Sequence, residues 1–442
     1  MTWRSLRSIA GEYTTVIALI LLCGLLSIRT WGRQFPAGAI AGGEVARKIA
    51  ERGKAGDRVL IVVRPTEEDA EFARALEADL LKSGFRVVET VSGQPMDARR
   101  AITRAGQAGE QIEWIAASEG PAAWSLFENI AVLGPAAEKA QVVSPQAYFG
   151  PTFLKVRNLL NIANQIALIA IIAIGMTMVI IVGGIDLSVG SLVALSAVIA
   201  ARLIRDYGGG AEASVPALFA CCGVAIALGA AAGAFNGAFV TGMGIPPFIV
   251  TLATMSVASG LASMITRSET INEIPPSILV LTRGSLVGVP NPVILMLVLY
   301  AIGHVVLSRT TFGRYLYAVG GNRKAAWLCG VPVRRVELAA YVISGSLAGL
   351  AGVLMVSQYQ SGAPTYGVTY ELQVIAAVVV GGTSLAGGQG RMFGTLLGAL
   401  LIAVVQNGMN LMEISSDPQK VVLGLVILAA AMLDRLKQGR MK

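Results

Sequence analysis

One short run places a carboxylic acid and a hydroxyl inside a long apolar stretch: GGIDLSVG, residues 183–190. Asp186 is the one ionisable side chain between Arg157 and Arg202. A carboxylate at membrane depth is costly and usually faces a bundle interior or a water-filled cavity. The flanking glycines predict irregular backbone, which lipid tolerates only where protein or a cavity surrounds it. Asp186 and Ser188 are therefore candidates for a transport pathway; alternatively, Asp186 simply caps a helix that starts at Leu187.

The other reactive residue types form no catalytic or metal-binding pattern. The four cysteines lack disulfide or metal spacing, and the single His304 has no companion ligand. Because the sequence contains no GxxxxGK[ST] phosphate loop, we expect no bound cofactor and no enzyme activity. Glycines at 381–390 favour close helix packing or a turn over phosphate binding, which leaves Thr383 as a helix-break candidate. No basic run lies on a soluble helix, so we expect no nucleic-acid partner.

The composition predicts an α-helical polytopic membrane protein. Hydrophobic residues make up 54% of the chain and charged residues only 14%. A lipid-crossing helix needs roughly 20 mostly apolar residues, and about ten transmembrane helices satisfy that requirement. Their expected limits are 13–30, 161–182, 187–204, 215–236, 245–266, 291–308, 338–357, 371–386, 392–411 and 419–434. The eighth is the weakest, because glycines interrupt it.

Lysine and arginine placement predicts the orientation. Basic residues crowd the loop 309–337 and the C-terminal tail, which indicates that both are cytoplasmic. Ten spans then place the N-terminus, with Arg4 and Arg7, on the same side of an inner membrane. Asn236 falls at the inner end of the fourth span, where its side chain either snorkels or lines the pathway. Glu371 falls at the outer end of the eighth, where it either complements a helix N-terminus or meets a docking protein.

The segment 32–150 has a different pattern, with short strands alternating with amphipathic helices. Strands are expected at 57–64, 85–91 and 112–117, and helices at 66–83, 96–107 and 121–130. Such alternation predicts a parallel sheet with right-handed crossovers. We therefore expect three parts: a first transmembrane helix at 1–31, a small extracytoplasmic α/β insert at 32–150, and a permease core at 151–442.

Several runs together resemble the permease subunits of bacterial ABC importers for ribose, xylose, galactose and related sugars, within the branched-chain amino acid and sugar permease superfamily. The resemblance covers 1–31 and 143–440, and the insert is the departure from it. The matching runs are GMTMVI at 175–180, GGIDLSVGSLVA at 183–194, IPPFIVTL at 245–252, TFGR at 311–314, YAVGGN at 317–322 and YELQVIAAVVVGGTSLAGGQG at 370–390.

The resemblance implies several partners. They are a cytoplasmic ABC ATPase that uses ATP and Mg, an extracytoplasmic sugar-binding protein, a second permease in a homodimer or heterodimer, and membrane lipid. It also implies that the ATPase docks on a coupling helix. Asn322 should cap that helix and Gly330 should end it, because these residue types are favoured at those positions; the alternative is an ordinary basic loop. The coupling candidates are Gly321, Asn322, Arg323, Lys324, Ala325, Ala326, Trp327, Leu328 and Gly330.

The insert is similar to part of the first lobe of periplasmic sugar-binding proteins. Sugars bound by such proteins lie between two lobes. A single lobe therefore indicates a docking or regulatory module and not an independent binding site. A family-specific elaboration without a ligand is the alternative. For the whole chain, an ion-coupled secondary transporter of a small polar solute is the main rival, but that class needs ion sites in mid-membrane, and Asp186 is nearly alone.

Overall fold

The computed structural model describes residues 14–128 and 130–439, which form two compact units. One unit contains the described residues up to Thr30 and from Phe153 onward; the other is Trp31–Thr152. Arg4 and Arg7, which support the predicted orientation of the N-terminus, lie outside the described residues, as does the end of the basic tail.

The helices and strands follow one another in this chain order. The helices are α1 (Thr14–Arg29), α2 (Gly38–Arg52), α3 (Glu67–Lys82), α4 (Pro95–Gln107), α5 (Glu119–Ala122), α6 (Val156–Ile181), α7 (Val189–Asp206), α8 (Val215–Met243), α9 (Pro247–Thr266), α10 (Val280–Arg283), α11 (Asn291–Arg309), α12 (Thr311–Gly321), α13 (Arg323–Leu328), α14 (Val333–Tyr359), α15 (Tyr370–Val380), α16 (Met392–Leu411) and α17 (Ser416–Gly439). The strands are β1 (Trp31–Gln34), β2 (Arg58–Val63), β3 (Arg86–Ser92), β4 (Trp114–Ala117), β5 (Gln141–Val143), β6 (Tyr148–Pro151), β7 (Ser285–Leu286) and β8 (Val289–Pro290).

Within the described residues, six helices are long and apolar enough to cross a membrane: α6, α8, α9, α11, α14 and α16. This makes the chain a multi-pass membrane protein. The eighth predicted span differs most from its prediction. Helix α15 has 11 residues, which is about 16 Å at 1.5 Å per residue, against a hydrocarbon core of roughly 30 Å. It ends at Val380 because Gly382 adopts φ 90°, a left-handed conformation that cannot continue the helix.

Glycines bring α8 and α14 of the first unit into backbone contact. A Cβ at Gly229 or Gly233 of α8 would overlap the main chain of α14, and a Cβ at Gly345 would overlap the main chain of α8. Small residues at such spacing allow membrane helices to approach closely. Gly175 of α6 also faces α14, since its Cβ would lie 2.5 Å from the Cα of Ser344. Helix α14 is thereby packed against both α6 and α8.

The second unit is a four-stranded parallel sheet in the order β3-β2-β4-β5, covered by helices on both faces. Alternate β2 residues point to opposite faces, as the strand period requires. Val59, Ile61 and Val63 pack with α2 and α3, whereas Leu60 and Val62 pack with α4. The ends of the unit meet where β1 pairs antiparallel with β6.

Two details of this unit correct the sequence prediction. A fourth strand, β5, joins the sheet beside β4, where three strands were expected. The helix expected at 121–130 is wrong: α5 ends at Ala122, and a 3-10 turn follows at Ser125–Phe127. Trp124 and Phe127 stack with ring centroids 6.3 Å apart, and side chains three residues apart align on a 3-10 turn.

Candidate functional site

The turn between α6 and α7 carries the acid that the sequence singled out. At the end of helix α6, the amides of Gly183 and Gly184 donate to the carbonyls of Ile180 and Val179, at 2.9 Å each. Gly183 has φ 82°, so a side chain at that position would be strained. A Cβ on Gly184 would overlap the buried hydroxyl of Tyr341. The backbone is therefore irregular here, and protein surrounds it.

Asp186 is fully buried and accepts three hydrogen bonds from neutral groups. Its Oδ1 accepts from the backbone N of Ser188 at 3.1 Å and from the Ser188 hydroxyl at 2.6 Å. Its Oδ2 accepts from the Ser344 hydroxyl of α14 at 2.9 Å. The expected cap on a helix starting at Leu187 needs correction, because α7 begins at Val189 and Ser188 is its N-cap residue. Asp186 instead fixes the preceding turn through a side-chain-to-backbone bond two residues on.

Asn236 extends this cluster to α8 and α9. Its Nδ2 donates to the Ser188 hydroxyl at 3.0 Å, and its Oδ1 accepts from the Thr254 hydroxyl of α9 at 2.6 Å. Asn236 is fully buried, so the snorkelling alternative is wrong. The reason is that α8 continues to Met243, which places Asn236 almost two turns inside the helix. We call Asp186, Ser188, Asn236, Thr254 and Ser344 the polar cluster.

The polar cluster links four helices at one break in the apolar core. Neither Thr254 nor Ser344 stood out in the sequence, because single hydroxyls in apolar spans usually bond to their own helix. Thr251 adds a further tie from α9, since its hydroxyl lies 3.2 Å from the Ile185 carbonyl and 3.0 Å from that of Pro247. Buried polar groups that are fully paired make a packing arrangement specific.

Two other pathway candidates lie apart from the polar cluster. Glu371 is in the first turn of α15, half-buried, where the helix N-terminus favours an acid. A Cβ added at Gly190 would overlap its Oε2, so Glu371 lies against the first turn of α7. Thr383 is buried in the glycine-rich loop after α15, and its hydroxyl has no hydrogen-bond partner among the described residues. The structure therefore does not bring Glu371 or Thr383 into hydrogen bonding with Asp186.

The coupling candidates form a short capped helix with an apolar surface. The Asn322 side chain accepts from the Ala325 amide at 3.0 Å, which caps α13. Beyond its end, Gly330 has φ 83°. Ala326 is buried, whereas Trp327 is 69% exposed and Leu328 is 76% exposed. Helix α13 thus presents two large apolar side chains outward at its end; Lys324 and Ala325 are also exposed.

A buried acid holds α13 on α14. Arg323 donates from Nε and a terminal nitrogen to the two oxygens of Glu337, at 2.7 and 2.9 Å. These hydrogen bonds raise the pKa of the Arg323 guanidinium above its ordinary value. Bidentate Arg–carboxylate pairs fix geometry as well as adding energy. Glu337 was not singled out in the sequence; its position as the one acid in a basic loop was the available signal.

Glycines join the end of α12 to the end of α6 and to the loop after α15. A Cβ at Gly320 would overlap the Ile181 carbonyl oxygen and lie 2.5 Å from the Gly388 nitrogen. The Gly388 amide donates to that same carbonyl at 2.8 Å. The Tyr317 hydroxyl donates to the Gly390 carbonyl at 2.8 Å. We call this contact of Ile181, Gly320 and Gly388 the glycine junction, and it lies directly before the Asn322 cap of α13.

Known proteins are similar to the part of the chain that contains these candidate residues. A family model described as "Branched-chain amino acid transport system / permease component" matches residues 158–431. The chain belongs to this family. All coupling and pathway candidates of this permease fall within the matched residues, whereas the second unit, Trp31–Thr152, precedes them. The predicted resemblance to ABC importer permeases is confirmed.

Three curated relatives show how far the similarity extends. The ribose import permease protein RbsC of Bacillus subtilis is 43% identical over 313 residues, which is 70% of this chain and 94% of the relative. RbsC of Escherichia coli K12 is 43% identical over 292 residues, 65% of this chain and 88% of the relative. The D-allose transport system permease protein AlsC of E. coli K12 is 35% identical over 284 residues, 64% of this chain and 85% of the relative. No solved structure matches the chain.

Proposed function

We propose that this permease is the membrane-spanning subunit of an ATP-driven importer that moves a small sugar across the bacterial inner membrane. The observation that carries the proposal is the exposed apolar end of α13, within a chain whose relatives are sugar import permeases. A separate ATPase would use ATP and Mg, and this chain would bind neither. Monosaccharides are the substrate class, because the relatives' names specify ribose and allose.

The surface of α13 supports docking of the ATPase on this helix. Exposed aromatic and aliphatic residues on a rigid element serve as anchors in protein interfaces. Trp327 and Leu328 project from a helix fixed at its start by the Asn322 cap and by the ion pair between Arg323 and Glu337. If the ATPase docks on α13, both termini and the loop 309–337 are cytoplasmic. The arginines and lysines of that loop agree with this orientation. The second unit is extracytoplasmic, where it would assist a sugar-binding protein.

The polar cluster would serve as a fixed point in the moving bundle. Alternating access requires helices that move as packed bodies between two arrangements. Asp186 ties the α6–α7 turn to α14 through Ser344, and Asn236 ties the same turn to α8 and α9. All these side chains are buried and hydrogen-bonded. We therefore assign Asp186, Ser188 and Asn236 to pathway geometry, and direct sugar contact is not required of them.

The decisive experiment reconstitutes the permease in proteoliposomes with its co-purifying ATPase and the binding protein. ATP-dependent sugar uptake is expected, with no dependence on a proton or sodium gradient. The docking surface is tested with Trp327→Ala and Leu328→Ala, each of which should reduce ATPase retention and uptake at least tenfold, since interface anchors cost about 2 kcal/mol or more on truncation.

Leu286→Ala is the matched control, because Leu286 is 63% exposed in β7, which precedes the membrane-spanning helix α11, whereas α13 follows that helix. It should leave ATPase retention and uptake at the wild-type level. Uptake driven by an ion gradient without ATP would identify an ion-coupled secondary transporter and refute the proposal. Normal uptake by both α13 variants would leave import standing but refute the docking surface.

A further inference from the structure

A small cavity lies between α6, α15, α16 and α17, apart from the polar cluster. Its volume is about 310 Å³, close to the lower end of the roughly 300–1,000 Å³ that is usual for small-molecule pockets. Each helix presents one face to it. Gln165 and Ile169 are four residues apart on α6, Tyr370 and Gln373 are three apart on α15, and such spacing places side chains on the same helical face.

The polar lining of the cavity is dominated by neutral amides. An amide side chain offers two donors and an acceptor, so it pairs with a hydroxyl in either direction. Among the residues that the structure describes, none that lines the cavity is charged, which disfavours an anion or cation as its ligand. Ile169 and Ala403 supply apolar wall. The amide residues are Gln165, Gln373, Gln406, Asn410 and Gln419.

Three of these amides are available to a ligand. Gln419 of α17 is already used, since its Nε2 donates to Asn410 Oδ1 and to the Ile414 carbonyl, at 2.8 Å each. In the described chain, no hydrogen bond reaches the side chains of Gln165, Gln373 or Gln406. Polar residues within transmembrane helices are rare and mark substrate pathways when they face a cavity.

The cavity lies in the half of the bundle that is remote from the glycine junction. Gln165 lies in the first half of α6, whereas Ile181, the last residue of that helix, belongs to the junction beside α13. The two are about 24 Å apart along the helix axis at 1.5 Å per residue. Likewise, Gln373 is in the first turn of α15, whereas the loop after α15 reaches the junction. The cavity therefore lies on the side that a substrate meets first, if α13 docks a cytoplasmic ATPase.

We propose that this cavity is a sugar-binding site in the permease, where the amides of Gln165, Gln373 and Gln406 bind the hydroxyls of a neutral monosaccharide. The inference rests on the proposed function and adds a location and a ligand class to it. The permease would then hold the sugar after the binding protein releases it.

The test has two arms that fail independently. The first measures uptake by Gln373→Leu and Gln406→Leu, which remove the amide and nearly keep the volume. Each lost hydrogen bond should lower the maximal uptake rate about three- to tenfold. The apparent KM should change little, because the binding protein sets capture. Gln358→Leu is the control: Gln358 is a half-buried amide on α14 that does not line the cavity, and uptake should stay normal.

The second arm measures thermal unfolding of the purified permease in detergent, without partners. D-ribose, D-allose, D-xylose and D-galactose at millimolar concentration are the probes, and at least one should raise the unfolding temperature of wild type and of Gln358→Leu. That shift should disappear in Gln406→Leu. Wild-type uptake rates in both cavity variants, no stabilisation by any sugar, or stabilisation by added lipid alone would overturn the site. Absence of ATP-driven uptake by wild type would refute the proposed function instead. The thermal-unfolding result would still stand, because it is measured without the ATPase.

Discussion

Replacing Asp186 by Asn and by Ala separates the geometric role of this acid from a charge-dependent one. In Asp186→Ala, the Ser188 amide, the Ser188 hydroxyl and the Ser344 hydroxyl all lose their acceptor inside a fully buried site. A typical hydrogen bond contributes about 1 kcal/mol net, and interhelical bonds in membranes average about 0.6 kcal/mol. We therefore expect Asp186→Ala to lower the free energy of unfolding by about 2–3 kcal/mol.

Asp186→Asn should be far milder. Its Oδ1 still accepts both Ser188 bonds, and its Nδ2 donates to the Ser344 hydroxyl, which is able to reverse its role. The expected loss is below about 1 kcal/mol, and most of the uptake should survive. Thermal unfolding in detergent and sugar uptake in proteoliposomes measure the two quantities. Ser346→Ala is a control on α14, the helix of Ser344, because the Ser346 hydroxyl bonds only to the Val342 carbonyl among the described residues.

One result would refute the geometric reasoning. If Asp186→Asn folds with wild-type stability and yet transports nothing, the carboxylate charge is required, and Asp186 acts on the substrate or on a coupled ion. A cycle with Ser344→Ala adds a check. If the bond to Ser344 matters, the effects of Ser344→Ala and Asp186→Ala should be less than additive, because each removes the same contact.

Three further outcomes test the coupling region and the second unit. Gly320→Ala should abolish most uptake while retaining the ATPase, because its methyl group would overlap Ile181 in the glycine junction; Gly242→Ala, with open space around its Cβ, should transport normally. Asn322→Ala should lose about 1 kcal/mol of cap energy at α13 and lower uptake severalfold. Replacing residues 36–142 by a short Gly-Ser linker, which keeps β1 and β6, should weaken binding-protein affinity; unchanged affinity and transport would rule out a docking role.

The sequence predicted individual elements better than contacts between them. Asp186 was conspicuous because a lone acid in an apolar stretch needs a bundle interior or a water-filled cavity around it. The Asn322 cap followed from the residue preference at helix N-termini. The partners of Asp186 were not predictable, since Ser344 is far along the chain and only the glycine packing of α14 against α6 and α8 brings it near. The burial of Asn236 was not predictable for a similar reason. Hydropathy gives no exact end for α8, so the depth of Asn236 within that helix was unknown.

The arrangement of the glycine junction explains how force on α13 could reach the polar cluster. Trp327 and Leu328 lie on a helix that follows α12 after the single residue Asn322. The end of α12 contacts Ile181 with no space for a side chain at Gly320, and Gly388 is hydrogen-bonded to the same carbonyl. From Ile181 the chain enters the turn that holds Asp186, which is bonded to α14. Because each step is backbone packing or a buried hydrogen bond, displacement of α13 should move the α6–α7 turn with it, and flexible side chains alone would not transmit that motion.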